Sequence, residues 1–148
     1  MNELTKNIAH IDIETNPNFI RLREQEGFEM LYESGVDVFV AYEGLKMAVF
    51  ADDPNQRKET MDIVVIAPEL KKAFGNTLSK TVFAHPQTAR AIASRWGVRN
   101  MPAVALFRDK DFLGAVQGLQ SWNDYCEKIA SIVQKQHSAP RVIALKSE

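Results

Sequence analysis

Short apolar segments typical of strands alternate with segments of helical spacing along most of this chain. The predicted order is α-β-α-β-α-β-α-β-β-α, and the turn residues Asp109, Lys110 and Asp111 join the last two strands. Strands that alternate with helices form parallel sheets, whereas strands joined by a tight turn pair antiparallel. The order therefore predicts an α/β fold in which helices flank a mixed central sheet.

Apolar spacing and helix-end residues give the predicted bounds of these elements. The predicted helices cover residues 17–26, 36–43, 61–74, 86–96 and 122–134, and the predicted strands cover residues 28–33, 46–51, 81–84, 103–107 and 112–117. Ser34 and Ser121 are expected to cap helices, and Gly75 and Gly97 to end them. The second helix also fits a strand, because its valines alternate. Pro68 lies inside the third helix and should kink it.

The chain has the size and composition of one globular domain. It contains 148 residues, of which 45% are hydrophobic and 25% are charged. We expect the domain to cover residues 16–135, between an N-terminal tail (residues 1–15) and a C-terminal tail (residues 136–148).

Composition also argues against several functional classes. A net charge of -1 and a pI near 6.3 argue against a nucleic-acid partner. The longest apolar run, residues 63–67, is too short for membrane insertion, and the first residues lack the apolar core of a secretory signal, so we expect a cytoplasmic protein. The single cysteine, Cys126, and three scattered histidines predict neither a metal site nor another cofactor.

Charge is unevenly distributed along the sequence. Acidic residues outnumber basic ones in residues 1–45, and basic residues outnumber acidic ones in residues 75–148. An acidic front half is compatible with a partner that carries a basic segment. It is equally compatible with two solvated faces whose charges serve solubility alone.

Three segments resemble parts of one known protein family. The run RWGVRNMP (residues 95–102) before a strand resembles the segment that ends a helix and enters the cis-proline strand of thioredoxins. Gly118 resembles the glycine that follows the terminal hairpin, and Pro68 the proline of the active-site helix. The resemblance implies a three-layer, thioredoxin-like fold in which the Met101–Pro102 peptide bond is cis.

The resemblance also shows what the chain lacks. With Pro68 aligned to the family's proline, Thr60 and Ile63 stand where the two redox cysteines would be. Neither side chain can form a thiolate, so dithiol exchange is chemically impossible at these positions. Cys126 matches neither cysteine, and a partly buried apolar role fits it better than a reactive thiol. We therefore predict no catalytic residue.

A narrower resemblance covers most of the chain. The Asp53-Pro54 loop with Arg57 and Glu59, the helix without cysteines and the run FLGAVQGLQSW (residues 112–122) resemble accessory proteins of [NiFe]-hydrogenase maturation, of the HyaE, HupG and HoxO type. That resemblance implies a non-enzymatic, cytosolic chaperone for the hydrogenase small-subunit precursor, including its twin-arginine signal peptide. It leaves room for contacts with other hydrogenase maturation proteins.

Two other functions remain open from the sequence. The chain could be a different redox-inactive, thioredoxin-like peptide-binding module. It could also be a thiol-dependent redox enzyme that uses Cys126, for which a low thiol pKa and exposure would be required.

Acidic residues form the first part of the candidate peptide-binding site. Asp52, Asp53, Glu59 and Asp62 cluster where the redox motif would lie. Carboxylates bind guanidinium groups bidentately, so this cluster predicts an acidic lip for a partner's arginines. The alternative is that these residues cap the following helix and interact favourably with its dipole.

Met101 and Pro102 form the second part. A cis-proline at this place would expose the backbone of Met101, to which an extended peptide could pair as an added strand. The alternative is that Pro102 only shapes the turn that precedes the strand.

Overall fold

The structure has the predicted order of helices and strands. The computed structural model describes the backbone of residues 10–146 and the side chains of residues 10–134. The helices are Pro17–Glu24 (α1), Val36–Ala41 (α2), Glu59–Ala73 (α3), Ala89–Ala93 (α4) and Trp122–Lys146 (α5). The strands are Glu29–Leu31 (β1), Leu45–Phe50 (β2), Leu78–Ala84 (β3), Ala103–Arg108 (β4) and Asp111–Gln117 (β5).

The five strands form one mixed sheet in the order β1-β3-β2-β4-β5. β1, β3 and β2 are parallel, whereas β4 pairs antiparallel with β2 and β5 antiparallel with β4. Phe50, at the end of β2, lies opposite Ala103, at the start of β4, and Ala103 lies opposite Gln117, at the end of β5. One edge of the sheet therefore brings together the loop after β2, the loop before β4 and the loop after β5.

Helices cover both faces of the sheet and create two apolar cores. On one face, α1, α3 and α5 contribute Phe19, Leu22, Ile63, Ala67, Tyr125 and Ile129. On the other face, α2 and α4 contribute Val36, Phe39, Ala89 and Ile92. β2 is buried along its whole length, as expected for a central strand with helices on both faces. The predicted three-layer α/β architecture is confirmed.

Helix-end predictions were confirmed in part. The Ser121 hydroxyl accepts a hydrogen bond from the Asp124 amide at 3.1 Å, as an N-cap should. Gly97 ends its helical segment with a φ of 74°. The predicted cap by Ser34 was wrong, because residues Glu33–Gly35 form a 3-10 turn that leads into α2 without a side-chain cap.

Two helices, α4 and α5, differ most in length from their predictions. The predicted helix over residues 86–96 is a short α4 followed by the 3-10 turn Ser94–Trp96, because the Thr88 amide bonds to the His85 carbonyl and delays the helix start. α5 continues to Lys146, past its predicted end at residue 134 and through most of the predicted C-terminal tail. The prediction ended α5 where the regular apolar spacing ends, whereas the backbone hydrogen bonds of a helix do not depend on that spacing.

Part of the predicted N-terminal tail is fastened to the domain. Asn55 pairs with the backbone of Ile11 through two hydrogen bonds, and Arg23 donates to the carbonyls of Ile13 and Glu14. Residues 1–9 and 147–148, which complete the two predicted tails, lie outside the described residues. The domain bounds at residues 16 and 135 remain predictions.

Lys46 is a buried cation that the sequence analysis did not identify. Its side chain is fully buried on β2, and its ammonium donates to the carbonyls of Phe39 and Val40 at 2.6 and 2.7 Å. These carbonyls lie near the C-terminal end of α2, where a helix favours positive charge. Burial lowers the pKa of Lys46, and the nearby charge of Asp109 opposes that shift. The ammonium therefore fastens α2 to the sheet.

We predict that Lys46→Met destabilises the fold. Methionine keeps the apolar stem but removes the donor to the Phe39 and Val40 carbonyls, and the Phe39 carbonyl keeps the Tyr42 amide at 3.2 Å. Leaving a buried carbonyl under-satisfied in this way costs about 1–3 kcal/mol. Because the folded pKa lies below 10.5, the unfolded chain binds more protons between the two pKa values. Wild-type stability then rises with pH in that window. In urea unfolding, the free energy of unfolding of wild type should exceed that of the variant by more at about pH 10 than at about pH 7.

The exposed Lys72 provides the control for this experiment, because Lys72→Met should have little effect at either pH. A difference between wild type and Lys46→Met that shrinks as the pH rises would contradict the assignment.

Candidate peptide-binding site

The Met101–Pro102 peptide bond is cis, as expected from the run that precedes β4. Pro102 is buried and Met101 is half-buried at the edge of the sheet. The Gly118 amide donates to the Pro102 carbonyl at 2.9 Å, which joins the loop after β5 to the loop before β4. The two loops therefore form one continuous surface with Met101 on it.

Gln117 holds the segment just before Met101. Its side-chain oxygen accepts hydrogen bonds from the amides of Arg99 and Asn100, at 2.9 and 3.0 Å. The sequence analysis did not identify this contact, because nothing local marks an exposed glutamine at a strand end as the partner of a distant loop.

Asp52, predicted as part of an acidic lip, is already paired within the chain. The Arg90 guanidinium binds both oxygens of its carboxylate, with the Nε and Nη2 atoms each 2.8 Å from an oxygen. The Asp52 side chain is only 15% exposed, whereas that of Arg90 is 55% exposed. The hydrogen bond to Asp52 raises the pKa of Arg90 above its ordinary value. A partner's arginine would have to compete with Arg90 for this carboxylate.

Asp53 shapes its own loop. Its carboxylate accepts the Asn55 amide at 2.9 Å, and its backbone carbonyl accepts the amides of Gln56 and Arg57. The side chain therefore stabilises the turn between β2 and α3, and it is half-buried. This arrangement is a local turn motif formed by an aspartate, not the cap of α3.

Glu59 and Asp62 lie in the first turn of α3. Asp62 is exposed and Glu59 is half-buried, and neither forms an ion pair with any side chain that the structure describes. The positive end of the helix dipole stabilises the negative charge of both carboxylates. No side chain caps α3, which begins after Lys58. Of the four predicted acidic residues, these two present the freest carboxylates.

The positions aligned with the redox cysteines belong to the protein interior. Thr60 is buried, and its hydroxyl donates to the Asp52 carbonyl at 2.7 Å. Ile63 is fully buried in the core between α3 and the sheet. The two side chains stabilise the start of α3 and offer no nucleophile.

Cys126 lies far along the chain from this edge, on α5. It is half-buried and lines an apolar groove of about 440 Å³ with Leu70, Phe74 and Ile129. The surroundings agree with the predicted apolar role.

The loop after β5 and the first residue of α5 carry exposed apolar side chains that the sequence analysis did not propose for the site. Leu119 is 40% exposed and Trp122 is 45% exposed. The Gln120 side chain donates to the carbonyls of Gln117 and Gly118, which fixes the turn between these residues. Residues 118–122, here called the apolar loop, therefore begin beside Pro102 and present a stable apolar surface. The signal available in the sequence was the run GLQSW, which places apolar residues after a strand-ending glycine.

The described residues offer neither a cluster of metal ligands nor a helix that could cross a membrane. Within residues 10–134, no group of three or more His, Cys, Asp or Glu side chains is arranged to hold a metal ion. Among the described helices, none combines the length and apolar character needed to cross a membrane.

Similarity to solved structures establishes the fold family. A thioredoxin mutant from Halobacterium salinarum superposes with a TM-score of 0.50 at 24% identity, over 70% of this chain and 90% of its own. The hydrogenase expression/formation protein HupG of Rhodopseudomonas palustris superposes with a TM-score of 0.50 at 26% identity, over 74% of this chain and 97% of its own. The fold is thioredoxin-like, as the sequence resemblance implied.

Sequence similarity points to one family. The hydrogenase expression/formation protein HoxO of Azotobacter vinelandii is 30% identical over 90% of this chain and 89% of its own. HupG of Rhodobacter capsulatus is 30% identical over 80% of this chain and 86% of its own. The family model of the hydrogenase-1 expression protein HyaE matches residues 19–125. The chain therefore belongs to the HyaE family of hydrogenase expression proteins.

Proposed function

We propose that this chain is a non-enzymatic, cytoplasmic chaperone of [NiFe]-hydrogenase maturation that binds the small-subunit precursor, including its twin-arginine signal peptide. Membership of the HyaE family gives it a role in hydrogenase expression or formation. The observation that carries the finer proposal is the combination of buried Thr60 and Ile63 with an exposed apolar loop beside a cis-proline. These features support the proposal of a peptide-binding surface at the place where thioredoxins carry their redox cysteines.

Backbone pairing at Met101 is the first contact in the proposal. Met101 is half-buried next to Pro102, at the start of β4. An extended segment of the partner would align with this backbone and gain main-chain hydrogen bonds. The flexible methionine side chain would adapt to different apolar residues of the partner.

The apolar loop supplies the second contact. A signal peptide contains an apolar stretch, and Leu119 and Trp122 offer exposed apolar area close to the Gly118–Pro102 contact. Exposed aromatic side chains often carry a large share of the binding energy of an interface. We therefore assign Leu119 and Trp122 to the site together with Met101.

Carboxylates supply the third contact. We assign the direct contact with the partner's arginines to Glu59 and Asp62, and a supporting contact to Asp53, because Asp52 is bound to Arg90. An exposed ion pair contributes only about 0.2–1 kcal/mol. The carboxylates would therefore orient the arginines, while the apolar and backbone contacts supply most of the affinity.

The first test removes apolar contacts from the proposed site. We predict that Met101→Asp and Leu119→Asp each weaken binding of a fluorescein-labelled peptide with the twin-arginine segment of a small-subunit signal peptide. The loss should reach about tenfold, because each variant places a charge where apolar area is to be buried. Fluorescence anisotropy measures the dissociation constants.

Val38→Asp is the matched control, since Val38 is 71% exposed on α2, which contributes no residue to the site. Wild-type affinity in both test variants would refute the assignment of the site. Equal weakening by Val38→Asp would show a non-specific effect of charge.

The second test concerns the carboxylates. We predict that the double variant Glu59→Gln/Asp62→Asn weakens binding of the same peptide about two- to fivefold at low ionic strength and reduces its salt dependence. The matched control is Glu69→Gln/Glu127→Gln, which removes the same charge from exposed positions outside the proposed site. An unchanged salt dependence in the test variant, or an equal change in the control, would rule out the acidic contact.

The third test concerns enzymatic activity. We predict that the protein does not reduce insulin disulfides in the presence of dithiothreitol, because Thr60 and Ile63 occupy the cysteine-equivalent positions. The rate should equal that of a Cys126→Ser variant and of dithiothreitol alone. Turnover that disappears in Cys126→Ser would instead support a thiol enzyme.

A further inference from the structure

Arg90 connects the two sides of the candidate site. It belongs to α4, and its guanidinium makes hydrogen bonds to two separate loops. Nε and Nη2 bind the Asp52 carboxylate after β2, and Nη1 donates to the Arg99 carbonyl at 3.1 Å. Arg99 lies two positions before Met101, so one side chain joins the loop after β2 to the loop that carries Met101.

The anchor for this guanidinium is rigid. The Asp52 carboxylate is nearly buried, and the Asp52 carbonyl accepts the hydroxyl of buried Thr60. A bidentate pair between a guanidinium and a carboxylate fixes the plane as well as the position of both groups. The third N–H group of Arg90 is thereby aimed at the Arg99 carbonyl.

Arg99 is held from its other side as well. Its amide donates to Gln117, whose side-chain oxygen also accepts the Asn100 amide. The amide and the carbonyl of Arg99 are thus fixed by two side chains, one from β5 and one from α4. Just before this segment, the Val98 amide donates to the Ala93 carbonyl at 3.2 Å. Among the described residues, the backbone that leads into Met101 has few other polar contacts.

We infer that Arg90 is a positioning residue, which sets the place of the Met101 backbone by bracing it against Asp52. The effect on partner binding rests on the proposed function, whereas the effect on the loop does not. The role requires a planar guanidinium, because a lysine ammonium cannot bind both Asp52 oxygens and reach the Arg99 carbonyl in one fixed geometry.

A competing role for Arg90 predicts the opposite change in partner binding when Arg90 is removed. If Arg90 merely occupied Asp52 until a partner's arginine displaced it, its removal would free the carboxylate and strengthen binding. If Arg90 braces the loop, its removal weakens binding although a carboxylate is gained.

Amide hydrogen exchange of the free protein tests the loop directly. We expect Arg90→Gln and Arg90→Lys to increase exchange of the Arg99 and Asn100 amides several-fold, and to leave core amides such as Ala48 unchanged. Arg95→Gln is the matched control, because Arg95 is 45% exposed, carries the same charge and, among the described residues, forms long ion pairs with Glu33 and Asp37, at 4.0 and 3.9 Å. Unchanged exchange at Arg99 and Asn100 would overturn the inference.

Binding of the twin-arginine peptide completes the test. Both Arg90 variants should weaken it about three- to tenfold, whereas Arg95→Gln should bind like wild type. Tighter binding by Arg90→Gln, or full binding by Arg90→Lys, would overturn the positioning role. If wild type itself does not bind the peptide, the proposed function fails, and the exchange experiment alone decides whether Arg90 positions the loop.

Discussion

The antiparallel pairing of β4 with β2 is the interaction on which the other features of the candidate site depend. It places Ala103 opposite Phe50, so the chain enters the sheet through Pro102 at the edge where β2 ends. The hairpin to β5 then returns the chain to the same edge, where the Gly118 amide meets the Pro102 carbonyl. Three loops from distant parts of the sequence thus share one surface because of one strand pairing.

The same architecture accommodates very different chemistry at the start of α3. In this chain the side chains at the two positions that would carry thiols are both buried. Thr60 donates its hydroxyl to the Asp52 carbonyl, and Ile63 packs in the core. Each therefore contributes to stability, and the same edge presents a half-buried Met101 and the exposed side chains of the apolar loop. The absence of thiols at these two positions, together with the exposed surface at Met101 and the apolar loop, agrees with the proposal that the protein works by binding.

The overall fold was largely predictable, because it depends on patterns that are local in sequence. Residues 63–66 show why spacing is more informative than propensity. Four consecutive β-branched residues favour a strand, yet Ile63 and Ile66 share one helical face with Leu70, and this spacing correctly predicts α3. The cis bond at Pro102 was predicted from the run RWGVRNMP and its resemblance to thioredoxins. The cap by Ser121 was predicted from the place of this residue before an apolar run.

The candidate site was less predictable, because its key contacts join side chains far apart in the sequence. Arg90 and Asp52 lie on different elements, and only the tertiary fold shows that they pair. Gln117 binds backbone amides 17 and 18 residues earlier in the chain, and residue type alone does not indicate these partners. The same holds outside the site for Lys46, although its carbonyl partners lie only six and seven residues earlier. The sequence predicted one acidic lip from four neighbouring carboxylates. In the folded chain, Asp52 and Asp53 have partners within the protein, and Glu59 and Asp62 present the freest carboxylates.

Mapping of the binding surface by nuclear magnetic resonance tests the central claim most directly. The ¹⁵N-labelled protein would be titrated with the peptide that carries the twin-arginine segment, and amide shifts would be followed over the whole chain. The account predicts that the largest shifts fall on Met101, residues 118–122 and the first turn of α3. Shifts concentrated on α2 and β1, with these three regions unchanged, would contradict it.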